Sequence, residues 1–122
     1  MRNFKDIIVE KLMVTKNPFG FTWEEFIEAL YKLETHMFYL EELPSMKYDD
    51  LPEFEYEGKI SKVHALIMYN SYTRSDTINI LYSPNKVSYR NDIEISSLDA
   101  LNDILDQKLI SEIYTCISKR KN

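Results

Sequence analysis

Two glycines and one cysteine in 122 residues set the first limits on this chain. A lone Cys116 excludes a disulfide framework and any zinc site built from several thiolates. Two Gly leave no material for a glycine-rich loop around a phosphate. No stretch approaches 18 uncharged apolar residues, so the sequence holds no membrane-spanning helix. The segment Met1 to Thr15 breaks its apolar pattern with Lys5, Asp6, Glu10 and Lys11, unlike the unbroken apolar core of a signal peptide. Asn-x-Ser/Thr is missing as well. With a reduced Cys116, these gaps predict a cytoplasmic location and no contact with a membrane.

What is present is ordinary for a folded domain. Hydrophobic residues make up 44% and charged residues 29%, so the chain is neither disordered nor collagen-like. Its length suits a single domain, 1–122, and it contains neither a repeat nor a linker long enough to divide it.

Asn3 can cap a first helix through about Thr15, with Phe4, Ile7, Ile8 and Leu12 as its apolar stripe. A second helix starts at a capping box, Thr22 with Glu25, and a hydrophobic staple, Phe21 with Phe26. Trp23, Phe26, Leu30, Leu33, Met37 and Leu40 then recur every three or four residues, which predicts one helix as far as Glu42, before Pro44. Tyr31, Phe38 and Tyr39 lie off that seam. Strict alternation in Glu53-Phe54-Glu55-Tyr56-Glu57 predicts a half-buried strand. Val63 to Tyr69 reads as a buried strand, with a buried helix as its rival. Thr77 to Tyr82 alternates, Ser83-Pro84-Asn85-Lys86 suits a tight turn, and Val87 to Ile95 returns, interrupted at Asn91-Asp92 by a bulge or a second turn. A last helix starts at Ser96 or Ser97 and carries Leu98, Leu101, Leu105, Leu109, Ile113 and Cys116 on one face. Lys119, Arg120 and Lys121 sit at its C-terminal end, where the helix dipole favours cations. The expectation is an α+β fold: two N-terminal helices, a small three- to four-stranded, mainly antiparallel sheet, and one C-terminal helix packed on it.

The net charge of −5 hides an uneven distribution. Thr22 to Glu57 holds eleven acids against two lysines, a net −9, while Met1 to Phe21 and Gly58 to Asn122 each carry +2. Such a balance argues against binding nucleic acid directly, which needs clustered Lys and Arg.

Chemistry is thinly represented. His36 and His64 stand far apart and belong to no spaced ligand pair, so neither predicts a metal site. Cys116, on an apolar helix face, reads as a small buried hydrophobe. No Gly-x-Ser-x-Gly elbow occurs. One arrangement resembles an enzyme family: Asp49 or Asp50 followed by Glu57-Gly58-Lys59 is similar to the Asp…Glu-x-Lys motif of the PD-(D/E)xK nucleases. That resemblance covers a dozen residues. It implies a divalent cation held by the two carboxylates, with Lys59 assisting the attacking water. The tight spacing and the central Gly depart from the family pattern.

The acidic band interleaves aromatics: Glu41, Glu42, Tyr48, Asp49, Asp50, Glu53, Phe54, Glu55, Tyr56 and Glu57. Acids along a surface steer association with a basic partner, and aromatics supply desolvated anchors. The sequence therefore predicts a non-enzymatic protein-binding module without cofactor or metal. Its expected work is to inhibit or antagonise a basic nucleic-acid-handling or defence protein, of phage or mobile-element type, with the band mimicking nucleic acid. An immunity protein neutralising a basic toxin, the metal-dependent nuclease, and a homo-oligomeric accessory subunit are the alternatives.

Overall fold

The computed structural model describes residues 18–68, 76–84 and 88–120. The expected first helix, Tyr69, half of the turn at 83–86 (Asn85 and Lys86), Val87, and Lys121 lie outside the described residues. The fold is α+β, with three helices and a five-stranded antiparallel sheet among the described residues.

Helix α1, Trp23–Tyr31, begins as its sequence signals require. Thr22 Oγ1 accepts from the Glu25 amide at 3.1 Å, and Glu25 Oε1 accepts from the Thr22 amide at 3.0 Å. Two otherwise orphaned amides are thereby satisfied. Phe21 and Phe26 stack at 6.2 Å, closing the staple. Phe26, Ile27 and Leu30 are fully buried. Glu28 and Lys32 form an i, i+4 pair at 3.8 Å, worth a few tenths of a kcal/mol at most on an exposed face.

The helix does not run to Glu42. It ends at Tyr31, and the chain reverses through His36, whose φ of +56° lies in the left-handed region. The His36 ring stacks on Tyr31 at 4.9 Å, and its Nδ1 meets the Tyr31 carbonyl at 2.6 Å, occupying an acceptor left by the helix end. Met37–Tyr39 then forms strand β1, followed by a 3₁₀ turn at Leu40–Glu42. Aromatic residues favour strands when a partner edge is present, and Phe38 is fully buried opposite Leu66. Of the apolar seam, Phe26, Leu30, Leu33 and Leu40 are buried and Trp23 and Met37 half-buried, while off-seam Phe38 is fully buried because these residues are strand and not helix.

A second 3₁₀ turn, Tyr48–Asp50, leads into β2, Glu53–Tyr56, and β3, Lys59–Met68. Glu57 and Gly58, at φ +51° and +78°, form the two-residue turn between them. Positive φ at both positions gives the twist that an antiparallel hairpin needs. The run after Val63 is thus a strand, and the buried-helix alternative is set aside. Strands β4, Ile78–Ser83, and β5, Arg90–Ile95, complete the sheet in the order β1-β3-β4-β5. Because β4 occupies one edge of β3, β1 and β2 share the other, β1 along Ala65–Ile67 and β2 along Lys59–Lys62. The expected three or four strands become five because Met37–Tyr39, which satisfies a helical apolar period, pairs with β3 as a strand.

Two bulges sit beside each other. Val63 pairs with Tyr82 and Ala65 with Leu81, which leaves His64 as an extra residue on β3. Ile80 pairs with Ile93 and Tyr82 with Arg90, so Asn91 and Asp92 together face Leu81. The interruption at Asn91-Asp92 is therefore a bulge and not a second turn. Asp92 accepts a 2.6 Å hydrogen bond from the Tyr82 hydroxyl. Burial, followed by that bond, raises the Tyr82 pKa, while the same bond lowers that of Asp92.

The C-terminal helix is in fact two. Ser97 Oγ accepts from the Ala100 amide and caps α2, Leu98–Asn102. The chain leaves helical geometry before Asp106, whose Oδ1 accepts from the Leu109 amide at 2.7 Å and caps α3, Gln107–Ser118. Leu98, Leu101, Leu105, Leu109 and Ile113 are all buried regardless of the break. Cys116 is half-buried at the core's edge, with the Arg120 guanidinium 3.8 Å from Sγ. The helices cover one face of the sheet, where Phe38, Val63, Leu66, Met68, Ile78, Ile80, Tyr82 and Ile95 join the core cluster. Among the described residues no helix is long and apolar enough to cross a membrane.

Candidate binding face

The sheet's other face is assembled by register. Residues directly paired across antiparallel strands share a face. Tyr39 pairs with Ala65 and Ala65 with Leu81, Ile67 with Asn79, Asn79 with Glu94, Glu53 with Lys62, and Glu55 with Ile60. The bulge at His64 keeps these residues in phase, since Lys62 and Ala65 would otherwise fall on opposite faces. Glu53, Glu55 and Glu94 therefore stand on the face turned away from the helices, and Lys62 stands among them.

Three large apolar side chains among the described residues are exposed: Tyr39 at 49%, Ile60 at 58% and Tyr89 at 56%. Scattered singly, they would need no explanation. They share one face of the sheet. Tyr39 and Ile60 belong to this face by register, and the Tyr89 ring meets the His64 ring edge-on at 4.8 Å. Exposed apolar side chains therefore share one face of the sheet with Glu53, Glu55 and Glu94.

A cup of about 420 Å³ opens there, lined by Tyr39, Glu41, His64, Leu81 and Tyr89. His64, 9% exposed, forms part of its floor, and its Nε2 is hydrogen-bonded to Ser83 Oγ at 2.6 Å. The Tyr48 ring lies 6.0 Å from His64 on a further side, with the Lys62 ammonium 5.3 Å from the Tyr48 centroid. A serine touching an imidazole is the beginning of a nucleophilic relay. Ser83, however, is only 3% exposed, so its Oγ is not presented to a substrate.

Burial lowers the His64 pKa from 6.5, Lys62 acts in the same direction, and Glu41 opposes them. A base whose folded pKa lies below its unfolded value contributes stability that is full above about pH 6.5 and lost as pH falls through the folded value, because the unfolded chain takes up the proton first. The melting temperature is expected to fall as pH drops from about 7 to about 5, above the ordinary carboxylate range. In His64→Gln the fall should be smaller. Thermal melts at several pH values check this, and equal slopes for both proteins would contradict it.

The structure divides the band expected from the sequence. On β2, Glu53 and Glu55 lie on the open face of the sheet, whereas Phe54 and Tyr56 turn to the helix side and pack on Tyr82 at 5.6 and 5.5 Å. The strand thus separates its acids from its aromatics. Glu41 is exposed on the rim of the cup. Glu42 is engaged within the molecule: Oε2 accepts from the Tyr39 amide at 2.8 Å, and Oε1 lies 2.7 Å from Arg120 Nη2. Asp49 and Asp50 are exposed on the second 3₁₀ turn beside half-buried Tyr48. Glu57 is at the hairpin tip, with Lys59 opening β3. Among the described residues no three His, Cys, Asp or Glu side chains gather as a metal-binding group.

Sequence reading missed Tyr39, Ile60 and Tyr89 as surface anchors, and His64 with Ser83 as a pair. The available signal was the lone His inside an apolar run, opposite a strand ending in Ser; pairing them required the β3–β4 register. No family model matches the chain, and no curated protein or solved structure was found to be similar to it.

Proposed function

We propose that the chain is a non-enzymatic binding module that engages a basic protein through the open face of its sheet, and that it acts as an inhibitor or antagonist of that protein. The observation that carries this reading is the coincidence of Tyr39, Ile60 and Tyr89, all exposed, with Glu53, Glu55 and Glu94 on one face and Glu41 on its rim. Lys62 is the one cation that the strand register puts among these acids in the described residues, and its ammonium lies over Tyr48. Carboxylates around an aromatic centre favour a cationic partner and speed its encounter. Tyrosines provide anchors that lose little rotamer entropy on burial. The half-buried, unpaired Cys116 suits a reducing compartment, and we place this work in the cytoplasm.

The test uses a fluorescently labelled arginine-rich peptide as the basic probe and follows anisotropy. Affinity is expected to fall by roughly tenfold between about 0.05 and 0.3 M salt as the charges are screened. Glu53→Gln with Glu55→Gln should weaken binding about tenfold at low salt. The control pair Glu24→Gln with Glu112→Gln changes the net charge equally on the exposed helix layer and should leave affinity within about twofold. Salt-independent binding, or equal losses for both pairs, would overturn the reading.

A further inference from the structure

We propose that the cup formed by Tyr39, Glu41, His64, Leu81 and Tyr89 receives an arginine side chain of the basic partner. This rests on the binding-face reading above and names the group that the face would take in.

The cup's construction favours a planar cation. Tyr39 comes from β1 and Tyr89 from just before β5, so β3 and β4 run between them and supply His64 and Leu81 as the floor. Both tyrosine rings are half-exposed, although the residues at the base beneath them are largely covered. A guanidinium stacks on aromatic faces and is more weakly hydrated than an ammonium, so it is the cation that gives up least on entering a partly apolar cup. Glu41 brings a carboxylate to the same cavity, and a carboxylate can take the guanidinium through two parallel hydrogen bonds. About 420 Å³ lies near the lower end of ordinary ligand cavities, which suits one long side chain better than a large cofactor. The Lys62 ammonium over Tyr48 shows the same pairing of cation and ring nearby on this face.

The groups around His64 keep the cup receptive near neutral pH. Ser83 Oγ holds Nε2 and Tyr48 and Tyr89 cover two sides of the ring; burial chiefly disfavours a positive charge on it, Glu41 favours one, and Lys62 adds to the disfavour. A neutral imidazole leaves Glu41 to the incoming guanidinium. A protonated one competes for that carboxylate and repels the ligand, so occupancy is expected to fall on acidification.

The experiment is an NMR titration of the full chain with blocked arginine, Nα-acetyl-arginine methylamide, against blocked citrulline, its neutral isostere. With arginine, the ring signals of Tyr39, His64 and Tyr89 should shift saturably, and citrulline should need about tenfold more ligand for the same shift. Tyr39→Ala and Glu41→Gln, both at exposed positions, should each weaken the response about fivefold. Lowering the pH from about 7.5 to about 5.5 should weaken it several-fold, and His64→Gln should flatten that dependence. Equal response to arginine and citrulline, or shifts confined to other residues, would overturn the cup. If the arginine-rich peptide still binds through Glu53 and Glu55 while the cup signals stay still, the face stands and the cup falls. If the peptide fails to bind at all, the reading beneath both falls.

Discussion

Phe38→Ala is expected to destabilise the protein by about 3–5 kcal/mol, the usual cost of emptying a fully buried aromatic site. Tyr39→Ala, one residue on, should cost under about 1 kcal/mol. The contrast follows from the strand. On β1 successive side chains point to opposite faces, so Phe38 enters the core opposite Leu66 while Tyr39 remains half-exposed above Ala65. A domain of this size has roughly 5–15 kcal/mol of stability in total, so Phe38→Ala should bring the urea midpoint down sharply and Tyr39→Ala should barely move it. Were 22–42 a continuous helix, the two residues would stand about 100° apart beside the apolar seam and the two losses would be of similar size. Equal losses in urea titrations would therefore speak against β1.

That same stretch explains how much of the fold was legible. Capping residues act within four positions of one another, and Thr22, Glu25, Ser97 and Asp106 all engage their own backbone neighbours. Of these, Thr22 and Glu25 were read from the sequence, and Ser97 as one of two starting points. Alternation on β2 and the turn-prone Asn91-Asp92 were local as well. What the sequence could not convey was a choice decided at a distance. Met37, Phe38 and Tyr39 satisfy a helical apolar period, yet they are strand because β3 offers an edge: the Met68 amide donates to the His36 carbonyl at 2.9 Å, and Phe38 gains Leu66 as a neighbour. Tertiary pairing overrides a short periodic signal.

The candidate site was half legible for the same reason. Three of its acids, Glu41, Glu53 and Glu55, lie in one stretch of chain and announce themselves through charge, whereas Glu94 reaches the face only through the β4–β5 register. Its exposed apolar anchors, Tyr39, Ile60 and Tyr89, come from β1, β3 and the entry to β5, and share a face only once the sheet has formed. Phe54 and Tyr56, adjacent to the acids in sequence, turn to the opposite face because a strand alternates. Glu42 reads as a free surface acid until Arg120, 78 positions later, is found 2.7 Å from it. Proximity in sequence thus grouped with Glu53 and Glu55 two aromatics that the strand places on the opposite face.

The break in the C-terminal segment carries the other large effect. Glu112→Pro is expected to cost about 3 kcal/mol or more, because residue 112 lies inside α3, where proline removes an intrahelical hydrogen bond and its ring strikes the preceding turn. Gln107→Pro should stay within about 1 kcal/mol of the parent, although it is only five residues earlier. Gln107 is the first residue of α3, where the amide has no intrahelical partner to lose. The preceding Asp106 already has φ −71° and ψ 160°, the extended geometry that a following proline demands. The remaining loss is the exposed bond from Gln107 Nε2 to the Pro18 carbonyl. In a single helix running from Ser97 to Ser118, position 107 would be interior and both prolines would be similarly disruptive. Chemical denaturation of the two variants separates these cases: a large loss for Gln107→Pro would mean that the helix is continuous, and a small one places its second start at Asp106.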